Sequence, residues 1–530
     1  MKSDYSATLY WDEWDARLSM NLPFRELEWK MFWQPHNEHR LVISKFFYWL
    51  DFAVFNGSNL PLLILNLILG CLIIWVLYQI LSLNHNGITK NSIFIVLFCF
   101  SIFTFSVLQI ENYSWGFQIQ FFLSVLFPLL TFYYYLVFVF HHTKSSIYWS
   151  YLFCVLSIGT MASGNFAIVV ILVTSIYLKR KAYEIAFHTI AAISLLAAYT
   201  YNYNSLNASP LETLIKHPDF IIKYMIVYFT SPLNQLTNSQ FPEFVIAFTF
   251  LIFFLVSKKM FHCYKRVDKD LFVIAGLMML VYSLLVAFAS AGGRYYFGVN
   301  QASASRYTTI SLLGWFGAML VILHNHEDGI ASKEFTWTKL SVIVTIIFIP
   351  FQLANSDSNN DVRSDREMAA IALVQRIQDD SISISLYPSG QRLTDLSGPL
   401  ISNEQSIFTS DFKKTFSEIN QSFEEILTKP KCIGFIDNIK KSTDERGFLM
   451  NGWVALAGDA DSLNLLAIDA SGKVVGAGIS GFERRDVSDQ LGLWARNTGF
   501  KVVSKSVPHL LVGVRNSKVK CRLNYEVQNG

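Results

Sequence analysis

Three carboxylates fall within four positions near the start of the chain: Asp12, Glu13 and Asp15, in the run Tyr10-Trp11-Asp12-Glu13-Trp14-Asp15. Further on, Trp33-Gln34-Pro35-His36-Asn37-Glu38-His39-Arg40 adds two histidines, another carboxylate and an arginine. Acids flanked by rings suit proton abstraction from a sugar hydroxyl. The carboxylate serves as base while aromatic faces pack on the sugar C–H groups. The structural alternative is a solvated amphipathic loop whose Trp11 and Trp14 anchor at lipid headgroups. His36 and His39, with Glu38, are also spaced to hold a metal on a helical turn, but Pro35 and the lack of a clear third ligand count against it.

Whatever positions these groups is membrane-embedded. Of 530 residues, 52% are hydrophobic, 15% aromatic and only 16% charged, which points to a polytopic membrane protein rather than a soluble enzyme. The formal net charge of +3 is too small and too scattered for a nucleic-acid partner. No signal-peptide pattern opens the chain. Leu41 to Phe55 is apolar but broken by Lys45 and Asp51, and reads as an interfacial or re-entrant helix. Apolar runs follow near 60–82, 92–110, 118–140, 147–162, 165–178, 184–200, 242–257, 271–290, 307–324 and 339–354, predicting about ten spans. The pair at 147–178 is separated by Ala162-Ser163-Gly164-Asn165, which fits a tight hairpin or two half-helices. The polar interval 201–241 holds a helical piece around Phe220 to Phe229.

Lysine and arginine segregate into alternate loops. Lys90, Lys144, Lys179-Arg180-Lys181, Lys258-Lys259, Lys265-Arg266, Lys269 and Lys333 mark one side, expected to be cytoplasmic. The acidic start, the alternate loops and the tail after 355 then lie outside. A chain that starts outside without an export signal leads to the expectation that a preceding span is missing from this sequence. His324-Asn325-His326-Glu327 falls on the cytoplasmic side and reads as a solvated helix end.

Two outer-side basic residues break that pattern: Arg294, in Gly292-Gly293-Arg294-Tyr295, and Arg306, in Ser305-Arg306-Tyr307. At a membrane surface they need an anionic partner. That partner is either an acid of the first loop or a phosphate gripped by the guanidinium fork. Another outer loop carries Glu111, Asn112, Trp115 and Gln118, which suit hydrogen bonds to sugar hydroxyls or, equally, helix capping. Beyond 355 a polar linker and a helix over Arg366 to Ile377 precede a strand-like Ile382 to Leu386. From Cys432 onward, short strands at 448–456, 463–469, 473–477, 502–503, 510–514 and 519–523 predict an antiparallel β-sandwich. Cys432 and Cys521 bracket it and are the only thiols of the tail, so they are expected to form a disulfide in an oxidising compartment. Nucleotide-binding, serine-hydrolase and CxxC patterns are absent, as are internal repeats.

With these residues assembled, the chain resembles the GT-C class of bacterial membrane glycosyltransferases, and within it the inner-membrane serotype-conversion enzymes that glucosylate O-antigen. The resemblance rests on Asp12-Glu13-Trp14-Asp15 followed by His36-Asn37-Glu38-His39-Arg40, on Glu111-Asn112-Tyr113-Ser114-Trp115-Gly116-Phe117-Gln118, and on Ser305-Arg306-Tyr307, all on one side. It implies an α-helical polytopic enzyme with a periplasmic β-sandwich tail. Its segments would be an outer acidic loop with an interfacial helix (1–59), a transmembrane domain (60–354), a linker region (355–430) and the sandwich (431–530). It implies transfer of a sugar from undecaprenyl phosphate to a lipid-linked or O-antigen glycan of lipopolysaccharide. Asp12, Glu13 or Asp15 would be the base. Arg294 or Arg306, with Arg40, would hold the phosphate. Trp11, Trp14, Trp115, His36, Glu38, His39, Glu111, Asn112, Gln118 and Tyr307 would line the substrate. No cofactor is required, with a divalent metal left open. The rival readings are a polysaccharide transporter or flippase, and an O-antigen polymerase.

Overall fold

A helix crosses the hydrocarbon of a bilayer when about 20 apolar residues follow one another. Five helices meet that condition: Leu60–Ser82, Gly116–Phe140, Ala182–Thr200, Pro242–Lys265 and Leu271–Gly293. A sixth is reached if Ile93–Thr104 and Val107–Ser114, bent by 46° at their junction, count as one span. Ser146–Ile158 and Ala162–Tyr177 are apolar but shorter. The chain is therefore mostly helical and carries at least five membrane-capable helices among the described residues, fewer than the ten apolar runs of the sequence. In this computed structural model the described residues are 6–18, 29–83, 90–202, 210–237, 239–266, 270–323, 339, 343, 346–347, 350–351, 360–419, 421–456 and 461–524. Most of the last expected run, 339–354, and the His324 to Glu327 segment lie outside them.

The chain divides into two compact units that cut across the linear segments expected from composition. One comprises Met1–Leu27, Tyr48–Pro61 and Asp357–Gly530; the other comprises Glu28–Phe47 and Leu62–Ser356.

In the helical unit, helices approach closely where glycines face each other. A Cβ on Gly276 would stand 2.5 Å from the Gly317 carbonyl oxygen, and one on Gly317 would stand 2.6 Å from that of Gly276. Leu271–Gly293 and Thr308–Leu323 are thereby joined backbone to backbone. The break between Ser146–Ile158 and Phe166–Tyr177 is held by Gly164, where a Cβ would lie 1.8 Å from the Ser157 carbonyl oxygen. The Ser157 hydroxyl donates to the Gly164 carbonyl at 2.9 Å and satisfies the interrupted backbone. The 147–178 segment is thus two short helices around a buried turn.

In the other unit, seven strands form one antiparallel sheet: β1 (Ile433–Lys441), β2 (Phe448–Ala455), β3 (Asn464–Ile468), β4 (Val474–Phe482), β5 (Gly499–Ser504), β6 (Leu510–Arg515) and β7 (Lys518–Asn524). Their order is β1-β2-β5-β4-β3-β6-β7. The two facing sheets of the expected sandwich are replaced by a single curled sheet whose edge strands meet at one corner. There the Cys432 N–H donates to the Arg522 carbonyl at 2.8 Å, and Cys432 and Cys521 are disulfide-bonded with their Cα atoms 5.0 Å apart. Both faces of the central strands are buried. Leu465 and Ala467 pack inside the curl with Met450, Val502 and Leu511. Leu466 and Ile468 face the other way, against Met368 to Leu373 of helix Asn360–Gln375. Burial on both faces explains why β3 and β6 read as continuous apolar runs. β1 escaped the sequence reading because its alternation is mostly exposed.

The stretch expected as a strand, Ile382 to Leu386, is instead the end of a helical turn. Helix Asp380–Ser383 starts there because the Asp379 carboxylate accepts from the Ser381 N–H, so local capping outweighs the two-residue alternation.

Candidate functional site

The polar residues expected to act together are shared between the two units. In the unit that holds the sheet, helix Glu13–Leu18 places Glu13 and Arg17 one turn apart on its buried side. Glu13 Oε1 lies 3.2 Å from Arg17 Nη1, and Glu13 Oε2 accepts from the Tyr10 N–H at 2.9 Å. Arg17 Nη2 is bonded to Asp51, and Nη1 also donates to Asn59 Oδ1 at 3.1 Å. All three charged side chains are buried. Two carboxylates therefore share one guanidinium away from water, and burial pushes the Asp51 carboxyl up by more than Arg17 pulls it down. Asp15 accepts from the Tyr387 hydroxyl at 2.6 Å and from Arg392 at 3.2 Å. Asp12 and Trp11 are exposed, whereas Trp14 is sealed in the core. Of the three expected bases, Glu13 is committed to Arg17, Asp15 to the tail, and Asp12 faces solvent. The sequence reading missed Asp51, Asn59, Tyr387 and Arg392 as their partners. A lone acid in an otherwise apolar helix, Asp51, was the available signal.

The helical unit gathers most of the other expected residues. His36 and His39 exchange backbone hydrogen bonds (2.8 and 3.0 Å) across a tight turn with Asn37 at φ +49°, a left-handed conformation that asparagine tolerates. The turn projects Glu38, whose Oε1 lies 2.7 Å from Arg294 Nη2. The second arm of the bent pair carries Glu111, in the first turn of helix Ile110–Ser114, and its Oε1 lies 2.8 Å from Arg306 Nη1. Glu111 Oε2 also accepts from the Arg306 backbone N–H at 3.2 Å. Gln118 Nε2 is 3.4 Å from the same carboxylate. Asn112 Nδ2 donates to the Arg306 carbonyl at 3.2 Å and to Thr309 Oγ1 at 2.7 Å. Tyr307 lies within electrostatic reach of both arginines, and the Arg306 guanidinium sits 5.6 Å from its ring centre. The His36 ring meets Phe117 edge-on at 5.8 Å.

His39 stands among Glu38, Arg294 and His36, and burial lowers it to about 4 although Glu38 pulls the other way. It is neutral at pH 7. The Ala162 N–H points at Nδ1 from 3.4 Å, which leaves the ring proton on Nε2.

Arg40 does different work. Its guanidinium donates to the Trp33 carbonyl at 2.6 Å, to the Tyr199 carbonyl at 2.8 Å and to the Tyr201 carbonyl. It closes the end of helix Ala182–Thr200 and stacks on Trp33 at 4.9 Å. Its donors are occupied by carbonyls rather than turned toward the Glu38 and Glu111 cluster. Trp115 is buried, so it packs the loop instead of offering a platform. Among the described residues, no group of three or more His, Cys, Asp or Glu side chains is arranged to hold a metal ion.

No known family, curated protein or solved structure matches this chain. The helical unit presents two arginine–carboxylate pairs, each drawn from segments far apart in sequence, with Tyr307 within electrostatic reach of both arginines and the neutral His39 beside Glu38 and Arg294. Such pairs hold guanidinium forks ready for an incoming anion, because phosphate oxygens match the same bidentate geometry. When an anion takes an arginine, the carboxylate it leaves is free to accept a proton.

Proposed function

We propose that the protein is a membrane glycosyltransferase of GT-C type. It moves a sugar from a polyprenyl-phosphate donor to a lipid-linked or O-antigen glycan on the periplasmic face of a bacterial inner membrane. The observation that carries the reading is the cluster Glu38–Arg294 and Glu111–Arg306 around Tyr307, two cation–acid pairs in a chain rich in membrane-capable helices. Each arginine already has a carboxylate partner, and on this reading a phosphate displaces that carboxylate from the guanidinium when the donor binds.

In the reaction, the acceptor hydroxyl oxygen bonds to the anomeric carbon as the bond from that carbon to the phosphate oxygen breaks. The hydroxyl proton passes to a carboxylate and the negative charge leaves on the phosphate. Arg294 and Arg306 stabilise that charge, and Glu38, released from Arg294, takes the proton. Glu111 ties the short helix that carries it to Ser305 and Arg306, and so positions Arg306. Of the acids at 12–15, Glu13 has a folding role through Arg17, Asp15 is held by Tyr387 and Arg392, and Asp12 is exposed.

The test is sugar transfer from a polyprenyl-phosphate-linked donor in membranes with matched protein levels. Glu38→Gln and Arg294→Ala are expected to lose roughly 10²-fold or more in turnover, because a positioned base or a charge clamp contributes at least that much. Arg306→Lys, which keeps the charge and loses the fork, should fall by a smaller factor. Near-normal transfer by both Glu38→Gln and Arg294→Ala would sink the reading.

A further inference from the structure

Away from that cluster, a second concentration of basic residues lies where two apolar helices end. Residues 177–184 and 256–266 together hold seven lysines and arginines (Lys179, Arg180, Lys181, Lys258, Lys259, Lys265 and Arg266) and a single carboxylate, Glu184. That carboxylate is taken by Arg180 at 2.8 Å.

The fold brings the two stretches together. The Tyr177 hydroxyl donates to the Met260 carbonyl, the Tyr177 and Tyr264 rings lie 5.5 Å apart, and Lys179 Nζ sits 4.6 Å above the Tyr264 ring. Lys179, Lys258 and Lys265 are all exposed. Lys265 Nζ lies 4.3 Å above Phe261, so its charge rests at an aromatic surface.

Beside the cations runs an apolar wall. Phe250 (58% exposed), Phe254 (66%) and Phe261 (61%) recur on one face of helix Pro242–Lys265. At about 100° per residue, Lys258 and Lys265 fall within about 80° of that same stripe. One helix face thus presents uncovered hydrocarbon-facing rings along its length and ammonium groups at its end. Ile176, 53% exposed on the neighbouring helix, extends the apolar wall. This pairing of features suits one ligand class. A diffuse anion would use the cations and ignore the rings; an acyl chain alone would use the rings and ignore the cations.

We propose that this corner is a binding site for the phosphodiester headgroup of an anionic membrane phospholipid, with its acyl chains lying along the Phe250, Phe254 and Phe261 stripe. Lys179, Lys258 and Lys265 contact the phosphate. Tyr264 orients Lys179 through its ring. The site is independent of the sugar-transfer reading, since it lies on other residues and needs no donor.

The experiment is native mass spectrometry of the full-length protein released from mixed micelles containing phosphatidylglycerol, cardiolipin and phosphatidylcholine in equal amounts. Wild type should retain the anionic lipids in preference to phosphatidylcholine. Lys179→Gln, Lys258→Gln and Lys265→Gln combined should lower that retention by roughly fivefold for each lysine removed, the factor expected of one basic group at an anionic surface. The triple Lys→Arg variant should retain it, which separates lost charge from lost folding. Lys216→Gln with Lys223→Gln, cations outside this corner, should leave it unchanged. Equal retention of phosphatidylcholine, or unchanged retention in the triple Gln variant, overturns the proposal. So does displacement of the lipid by millimolar inorganic phosphate, which would mark a small-anion site instead.

Discussion

Glu13 Oε1 and Arg17 Nη1 lie 3.2 Å apart with both side chains fully buried, and Asp51 completes the set as a second carboxylate on the same guanidinium. Removing one partner of a buried pair leaves an uncompensated charge, typically at a cost of about 3–5 kcal/mol. Arg17→Met should therefore be the most damaging substitution here, because it strands two acids at once. Asp51→Asn should be mild, because it leaves one acid to one arginine. Asp51 is raised, so the folded protein holds its proton more readily than the unfolded chain does. Stability from this group is present at low pH and is lost as pH rises through the raised value. Asp51→Asn should flatten that slope. Thermal unfolding of purified protein across pH 4–7 checks all three; an Arg17→Met protein as stable as wild type would contradict the buried-network account.

His39 makes the opposite pH prediction. Burial lowers it to about 4 from an ordinary value of 6.5. Between those values the unfolded chain binds a proton that the folded protein refuses, so stability falls as pH drops from about 6.5 toward 4. His39→Gln should remove that loss while leaving stability at pH 7.5 close to wild type. A pH slope unchanged in His39→Gln would assign it to other groups.

Closing the sheet through Cys432 and Cys521, 89 residues apart, is worth about 4–5 kcal/mol in the chain-entropy picture, with real bridges often giving less. The double Ser variant should keep the β-sheet circular dichroism of the tail but unfold at a lower temperature, and reduction of wild type should reproduce the shift. Alkylation of both thiols in unreduced, denatured protein would mean that the bridge is absent.

Sidedness is tested with reporters. One fused after Gly530 should be active only outside the cytoplasm, and one fused after Lys181 only inside it, because lysine and arginine cluster in the loops of one side. A cytoplasmic C-terminus would place the arginine–acid cluster away from polyprenyl-linked donors.

How much of this was legible beforehand follows from which forces act locally. Apolar length and the alternation of basic loops are properties of consecutive residues. The membrane class, the helix from Val42, the helix over Pro218–Leu236 and six of the seven strands could accordingly be read along the chain. Partnership is not local. Arg294 and Arg306 could be marked as needing an anion, but the choice of Glu38 for one and Glu111 for the other depends on loops separated by most of the helical unit. Composition could not separate Asp12, exposed, from Glu13, buried on Arg17, since the two are neighbours in the same acidic run. Burial decides that difference, and burial here is set by Asp51 and by the tail that follows residue 357. The single curled sheet was decided in the same way. Strand patterns report that faces are apolar, whereas tertiary packing determines whether the second face meets another sheet or, as here, curls onto itself beside a helix.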